Sequence, residues 1–308
     1  MRVSGVTSST SKSLRRVVGL GLAMAALLAV APAGHARPPS DSFERLVDVG
    51  GHHLYVKCMG RGGPAVILEA ALANTSATWS AIQPQIASFT TVCSYDRAGI
   101  GRSEPSSTYP VTAQSSVDEL RALLQNAGIR GPYVLVGHSY GGWIVQLVAR
   151  QDGGREVTGV VLVDATPLDQ PAIDDRFGRP IPRPEQIPEP VDLRTSSQQL
   201  LAAPPFPQVP LDVLRRTVFP PIFPPEFRQI LIERQEQASR LSCRGRLIVA
   251  EGAGHFIHRD RPDLVVASIE HVVDAAHPNN GRKLHPNGHP SPAGPQGSAR
   301  SGRWANCP

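Results

Sequence analysis

Two short motifs carry side chains whose types and spacing could do nucleophilic chemistry. Gly137-His138-Ser139-Tyr140-Gly141 reads G-x-S-x-G, between the apolar run Tyr133–Val136 and a helical pattern that starts at Gly142. A nucleophile on a tight strand-to-helix turn needs backbone angles that most residues avoid, and small neighbours at 137 and 141 let the turn form. Ser139 Oγ then points out over the sheet. The helix that follows aims its free N–H groups and positive dipole end at a developing oxyanion. Serine is a poor nucleophile at neutral pH and needs a base whose pKa lies near 7, which histidine supplies. Gly252-Ala253-Gly254-His255 follows the apolar run Arg246–Ala250 and sets His255 on a loop of small residues. His258, three residues on, is the rival base and reads better as a structural or surface residue.

The elements that must position these groups alternate between strand and helix. Phe43–Val49 and His53–Cys58 form a strand pair with Gly50-Gly51 at the turn. Ala65–Glu69, Thr91–Tyr95, Tyr133–Val136, Val160–Val163 and Arg246–Ala250 read as buried strands, with Val209–Leu214 as a further one. Helical spacing marks Trp79–Ser88, Val117–Ala127, Gly142–Arg150, Pro225–Ser239 and Pro262–Ala276. Strands alternating with helices imply parallel pairing in an α/β sheet with helices on both faces. Residues 167–225 break the pattern with many prolines, a span too long for an ordinary connection; it reads as an insertion over the active site.

The chain has 308 residues, 41% hydrophobic and 19% charged, which fits a packed globular core and excludes a wholly disordered chain. Its net charge of +5 sits at the ends: 1–36 and 278–308 each hold four basic and no acidic residues, leaving −3 on the body. A basic nucleic-acid face is therefore not supported. Lys12, Arg15 and Arg16 precede the apolar run Val17–Val30 and a small-residue site near Ala36, the order of a cleaved secretory signal. That run of 14 residues is too short for a stable membrane anchor, since a spanning helix needs about 20. The expected product is a secreted, periplasmic or cell-envelope protein with a catalytic domain at 37–277 and a Gly/Pro-rich disordered tail at 278–308. Its four cysteines, Cys58, Cys93, Cys243 and Cys307, fall in the exported part, where disulfides form. With no H-E-x-x-H, Walker loop or dinucleotide fingerprint, no cofactor or metal is expected.

Over residues 43–277 the chain resembles the α/β-hydrolase superfamily. The resemblance rests on the elbow around Ser139, on Tyr95-Asp96-Arg97-Ala98-Gly99-Ile100-Gly101-Arg102-Ser103, and on Gly254-His255-Phe256 followed by Asp260-Arg261-Pro262. It implies a mostly parallel eight-stranded sheet of order 1-2-4-3-5-6-7-8, a Pro-rich lid after strand six (165–208) and a Ser–acid–His triad. In that order the acid lies between Ser139 and His255. Most members carry it after strand seven and some after strand six, where Asp164 ends the run Val160–Val163. Asp164 is the favoured acid; Glu226, Glu233 and Asp212 are the alternatives. The resemblance also implies an oxyanion hole from the backbone N–H groups of Tyr140 and Leu72, with Thr75 or Ser76 as extra donors. Relatives often have glycine where this chain has Ala70-Ala71. Asp96 and Arg97 would hold the loop after strand four, and Trp79 and Trp143 belong to the core. Strands two and four lie side by side in this fold, which implies a Cys58–Cys93 disulfide and with it Cys243–Cys307.

A serine nucleophile departs from relatives that use aspartate for dehalogenation or epoxide opening. The expected function is hydrolysis of small-molecule carboxylic esters, with Phe206, Val209, Phe219, Ile222 and Phe223 of the Pro-rich region forming an apolar acyl pocket. An aminopeptidase or amidase, which would need an acidic group for the substrate's amine, and a non-catalytic binding protein on the same scaffold are the alternatives.

Overall fold

The computed structural model describes residues 42–277; the expected leader, the tail and Cys307 lie outside the described residues. Eight strands form one sheet in the order β1-β2-β4-β3-β5-β6-β7-β8, as the resemblance implies. They are β1 Phe43–Asp48, β2 His53–Met59, β3 Ala65–Glu69, β4 Val92–Tyr95, β5 Tyr133–His138, β6 Val157–Val163, β7 Leu211–Arg216 and β8 Gly245–Ala250. β1 and β2 pair antiparallel, β2 runs antiparallel to β4, and the strands from β4 to β8 are parallel.

The central strands are apolar at consecutive positions because both faces of the sheet are covered. Ile67, Leu135, Val160 and Leu162 face one layer; Val66, Leu68, Val134, Val136, Val161 and Val163 face the other. The first layer holds α2 (Ala113–Asn126) and α3 (Gly141–Asp152), with Val117, Leu120, Trp143 and Ile144 in its core. The second holds the short α1 (Gln83–Ile86), followed far along the chain by α7 (Ile257–Asp260) and α8 (Pro262–Ala276), whose Val265, Ile269 and Val272 meet Trp79 and Ile86. Trp79 and Trp143 are fully buried, as core residues should be.

Several boundaries differ from the sequence reading. The expected helix at 79–88 is a 3-10 turn, Ser76–Trp79, followed by the one-turn α1. Pro84 is the reason: it has no N–H for a helix that began at Trp79, but fits the first turn of one that begins at Gln83. α2 starts four residues early because Thr112 and Ser115 form a reciprocal capping box. The connection from β6 to β7 holds α4 (Gln170–Arg176) and α5 (Leu193–Leu201), neither of them expected, and α6 (Pro225–Ala238) follows β7. The start of that connection lines the candidate cavity. Farther on, its Val111–Val191 bridge and α5 dock it on α2 and α3.

Cys58 and Cys93 are facing partners in the β2–β4 register and form a disulfide, as implied. Cys243 is also disulfide-bonded. The Cys58–Cys93 bridge closes a loop 35 residues long, so the double change Cys58→Ser, Cys93→Ser should lower the unfolding free energy by about 3–4 kcal/mol in the chain-entropy picture. Urea denaturation of the two proteins measures the difference.

Candidate active site

In a parallel sheet every crossover returns the chain to the same end, so the loops that leave the carboxyl ends of the strands gather along one edge. The loops after β3, β5, β6 and β8 carry Leu72, Ser139, Asp164 and His255 respectively. Ser139, Asp164 and His255, 116 residues apart at their extremes, line one cavity of about 210 Å³.

Ser139 sits at the junction of β5 and α3 with φ 53°, the strained elbow angle that the motif predicts. The turn closes because its neighbours are glycines. A Cβ on Gly137 would lie 2.6 Å from Gly141 O, and one on Gly141 would lie 2.5 Å from Ala70 O. Gly142 is as confined, with Ala165 Cβ 2.4 Å from where its own Cβ would be. The last two contacts bring the loops after β3 and β6 against the first turn of α3. Ser139 Oγ lies 3.3 Å from Thr166 Oγ1. Thr166 O in turn accepts from the Trp143 indole at 2.8 Å, which fixes this turn beside the serine.

Asp164 also has positive φ, 43°. Its N–H donates to Leu214 O at 2.8 Å, so β7 holds the bend. Its Oδ2 accepts from His255 Nδ1 at 2.5 Å and faces Arg216 Nε at 3.0 Å; the Arg216 N–H reaches Oδ1 at 3.3 Å. An ionised carboxylate only accepts, so it holds the Nδ1–H tautomer of His255 and leaves Nε2 as the ring's acceptor. The alternative acids lie elsewhere. Asp212 is buried against Arg246 at 2.8–2.9 Å, on the side of His271. Glu226 and Glu233 are exposed on α6.

The base loop is held from beneath by the elbow motif's own histidine. His138 donates from Nε2 to His255 O at 2.8 Å. Burial, with His255 and His258 nearby, holds the His138 pKa well below the usual histidine value, so the ring stays neutral. His258 is 1% exposed, lies 2.9 Å from Thr78 Oγ1 and packs on Trp79 at 4.6 Å. Burial lowers its pKa to about 4. It is a structural residue, not a second base.

The Leu72 loop is shaped by a buried cation. Arg97 is 3% exposed and donates to Ala70 O and Ala71 O, both at 2.7 Å, to the Glu69 carboxylate and to both oxygens of Glu189. Arg97 therefore braces the loop after β3, while Asp96 holds its own loop through the Arg102 N–H and reaches Ser76 N–H at 2.7 Å. Burial pushes the Glu69 carboxyl up, and the Arg97 charge opposes it. Glu189 also accepts from the Ala73 N–H at 2.8 Å, and Ala73 carries φ 55°. Ala70 and Ala71 do not take positive φ; the strained position of this loop is Ala73, and it is held by a carboxylate from the β6–β7 connection. Neither the Leu72 nor the Tyr140 backbone N–H has a hydrogen-bond partner among the described residues. Leu72, Tyr140, Thr75 and Ser76 are all outside the lining of the cavity that Ser139 shares with His255.

The cavity wall comes from two stretches. Residues between Ala165 and Arg179 form one side, and Arg215 and Arg216 at the end of β7, with Phe219, Phe223, Phe227 and Leu231 after it, form the other. The apolar set expected from sequence divides accordingly. Phe219 and Phe223 line the cavity, Phe206 and Val209 are buried in the core against the first helical layer, and Ile222 is 79% exposed. Phe227 and Leu231 were not foreseen; their helical spacing on α6 was the available signal.

A model of the "Alpha/beta hydrolase family" matches residues 62–268. The chain belongs to this family. Among curated relatives, this α/β hydrolase is 32% identical over 158 residues to a protein of Hormonema carpetanum named "Probable transporter efuK", covering 49% of this chain and 23% of that one. It is 37% identical over 105 residues to YqjL of Bacillus subtilis, an uncharacterised protein, covering 34% of this chain and 41% of that one. The chain thus spans less than half the length of either relative. Among solved structures, a thermophilic esterase from Thermogutta terrifontis superposes with a TM-score of 0.57 at 20% identity, covering 76% of this α/β hydrolase and 99% of the esterase. No helix of the described residues is long and apolar enough to cross a membrane.

Two outcomes test this arrangement. Glu189→Ala leaves Arg97 buried with one carboxylate fewer, which should cost about 3–5 kcal/mol in denaturant unfolding. His258 resists protonation in the folded protein, with a pKa of about 4, against roughly 6.5 when unfolded. Its contribution is complete above pH 6.5 and is lost as pH falls toward 4, because only the unfolded chain gains the proton there. The stability lost over that window should shrink in His258→Asn, measured by urea unfolding at stepped pH.

Proposed function

We propose that this chain is an exported serine hydrolase acting on small carboxylic esters. Ser139 Oγ attacks the carbonyl, His255 Nε2 takes its proton, and Asp164 orients the ring and stabilises the imidazolium. The N–H groups of Tyr140 and Leu72 hold the oxyanion. The leaving alcohol takes the proton from His255, which then activates water to release the acyl group. The observation that carries this reading is the 2.5 Å contact of His255 Nδ1 with Asp164 Oδ2 on the cavity that Ser139 lines. The unpartnered N–H groups of Tyr140 and Leu72 support the oxyanion assignment. The Ser139 hydroxyl faces Thr166, and among the described residues no hydrogen bond joins it to His255, so the reading requires the hydroxyl to turn toward the imidazole when substrate binds.

Ester hydrolysis is favoured over aminopeptidase action by the charges of the cavity. Both carboxylates that line it are already matched: Asp164 to Arg216 and His255, and Asp174 to Arg179 at 3.0 Å. Neither is left for a substrate's ammonium group. Export is proposed from the signal-like order of residues 1–36.

A fluorophosphonate should add once to the mature protein by intact mass, and Ser139→Ala should abolish the adduct. Asp164→Asn should lower kcat on 4-nitrophenyl esters by about 10³–10⁴-fold with the fold intact by circular dichroism. A Ser139→Ala protein that retained the adduct and the turnover would remove Ser139 from the mechanism.

A further inference from the structure

We infer that the Ser139 cavity takes a substrate bearing a carboxylate, seated against Arg215. The inference rests on the hydrolase reading above and names its substrate class. It starts from the charged groups of the lining, which are three guanidinium groups, Arg179, Arg215 and Arg216, and two carboxylates, Asp164 and Asp174. Arg216 Nε faces Asp164 at 3.0 Å, and Arg179 Nε faces Asp174 at 3.0 Å. Arg215 has no acidic partner among the described residues. Its Nη1 reaches only the Arg216 carbonyl, at 3.3 Å, and its Nε is buried without a hydrogen bond.

Arg215 is half-buried, and a guanidinium partly withdrawn from water without a counter-charge costs free energy. Here the cost is raised by the like charge of Arg216, its neighbour at the end of β7, and by the phenyl groups of Phe219, Phe223 and Phe227 that share the wall. A ligand carboxylate removes that cost. Its two oxygens match the planar guanidinium fork, and a charge-assisted pair in a partly dry cavity is stronger than a neutral one. One negative charge balances the single unpaired cation, so a monoanion fits the lining better than a phosphate dianion. Because Ser139 and His255 line the same cavity of about 210 Å³, the carboxylate and the scissile carbonyl belong to one small molecule, of the hemiester type.

The test has a binding arm and a turnover arm. In the binding arm, Ser139→Ala protein is titrated calorimetrically with 4-phenylbutyrate and with its neutral isostere 4-phenylbutyramide. The acid should bind at least tenfold more tightly, Arg215→Gln in the same background should erase the difference, and Arg215→Lys should restore part of it. In the turnover arm, wild-type protein should favour mono-4-nitrophenyl glutarate over 4-nitrophenyl valerate by at least tenfold in kcat/KM, and Arg215→Gln should collapse that ratio. Equal binding of acid and amide, or a wild-type preference for valerate, overturns the inference; neither needs a variant at 215 to fold. Selective binding of the acid, lost in Arg215→Gln, together with no fluorophosphonate adduct on Ser139, keeps the carboxylate site and rejects the hydrolase reading instead.

Discussion

One buried guanidinium organises the edge of the sheet where the site lies. Arg97 reaches from the end of β4 to the carbonyls of Ala70 and Ala71, to Glu69 at the end of β3, and to Glu189 of the β6–β7 connection. A buried cation is tolerated only when its donors are taken, and here backbone and carboxylate oxygens take them. The result is that three segments distant in sequence hold one geometry. The loop after β3 then packs on the first turn of α3 so closely that Gly141 admits no side chain. The position of Ser139 therefore depends on a contact set that contains no atom of Ser139.

Strain is concentrated at the same edge. Among the described residues, the non-glycine positions with positive φ are Ala73, Ser139 and Asp164. Each such angle costs on the order of 1–3 kcal/mol and persists only where surrounding contacts enforce it. Those contacts are visible in each case. Glu189 holds the Ala73 N–H, the Ser139 N–H donates to Val163 O at 3.2 Å, and the Asp164 N–H donates to Leu214 O. At Ser139 and Asp164 the neighbouring strands supply the acceptors, so the rigidity of the parallel sheet is transferred to the loops that carry these side chains, whereas at Ala73 a side chain of the β6–β7 connection does so.

Charge is partitioned by layer. Behind the candidate base lie His138 and His258, both kept neutral by burial, with Trp79 and Phe256 around them. In front of it the cavity is lined by arginines and phenylalanines. The neutral backing leaves Asp164 and Arg216 as the fixed charges beside His255, with His255 and Arg216 meeting at the same carboxylate oxygen of Asp164. The α/β-hydrolase family to which the chain belongs frames this arrangement.

The sequence by itself determined the strands, the elbow and the loop of His255, because these are local. Apolar runs such as Ala65–Glu69 are legible where both faces of a sheet are buried, and Gly137 reports a steric demand made by Gly141 and Val145 nearby in sequence, whereas Gly141 and Gly142 answer to the distant Ala70 and Ala165. The resemblance added the strand order and the Cys58–Cys93 pairing. Some boundaries turn on single residues: Pro84 sets the start of α1, and the capping box at Thr112 starts α2 one turn before its apolar stripe. The tertiary structure alone decided which carboxylate meets the imidazole. Asp164 and His255 are 91 residues apart and touch because β6 and β8 flank β7. It alone decided that Glu189, from a proline-rich connection without periodicity, completes the Arg97 shell, and that Phe206 enters the core while Phe219 enters the cavity. Local sequence encodes propensity and steric permission; which distant groups share a partner is set by strand order and packing, which no short window contains.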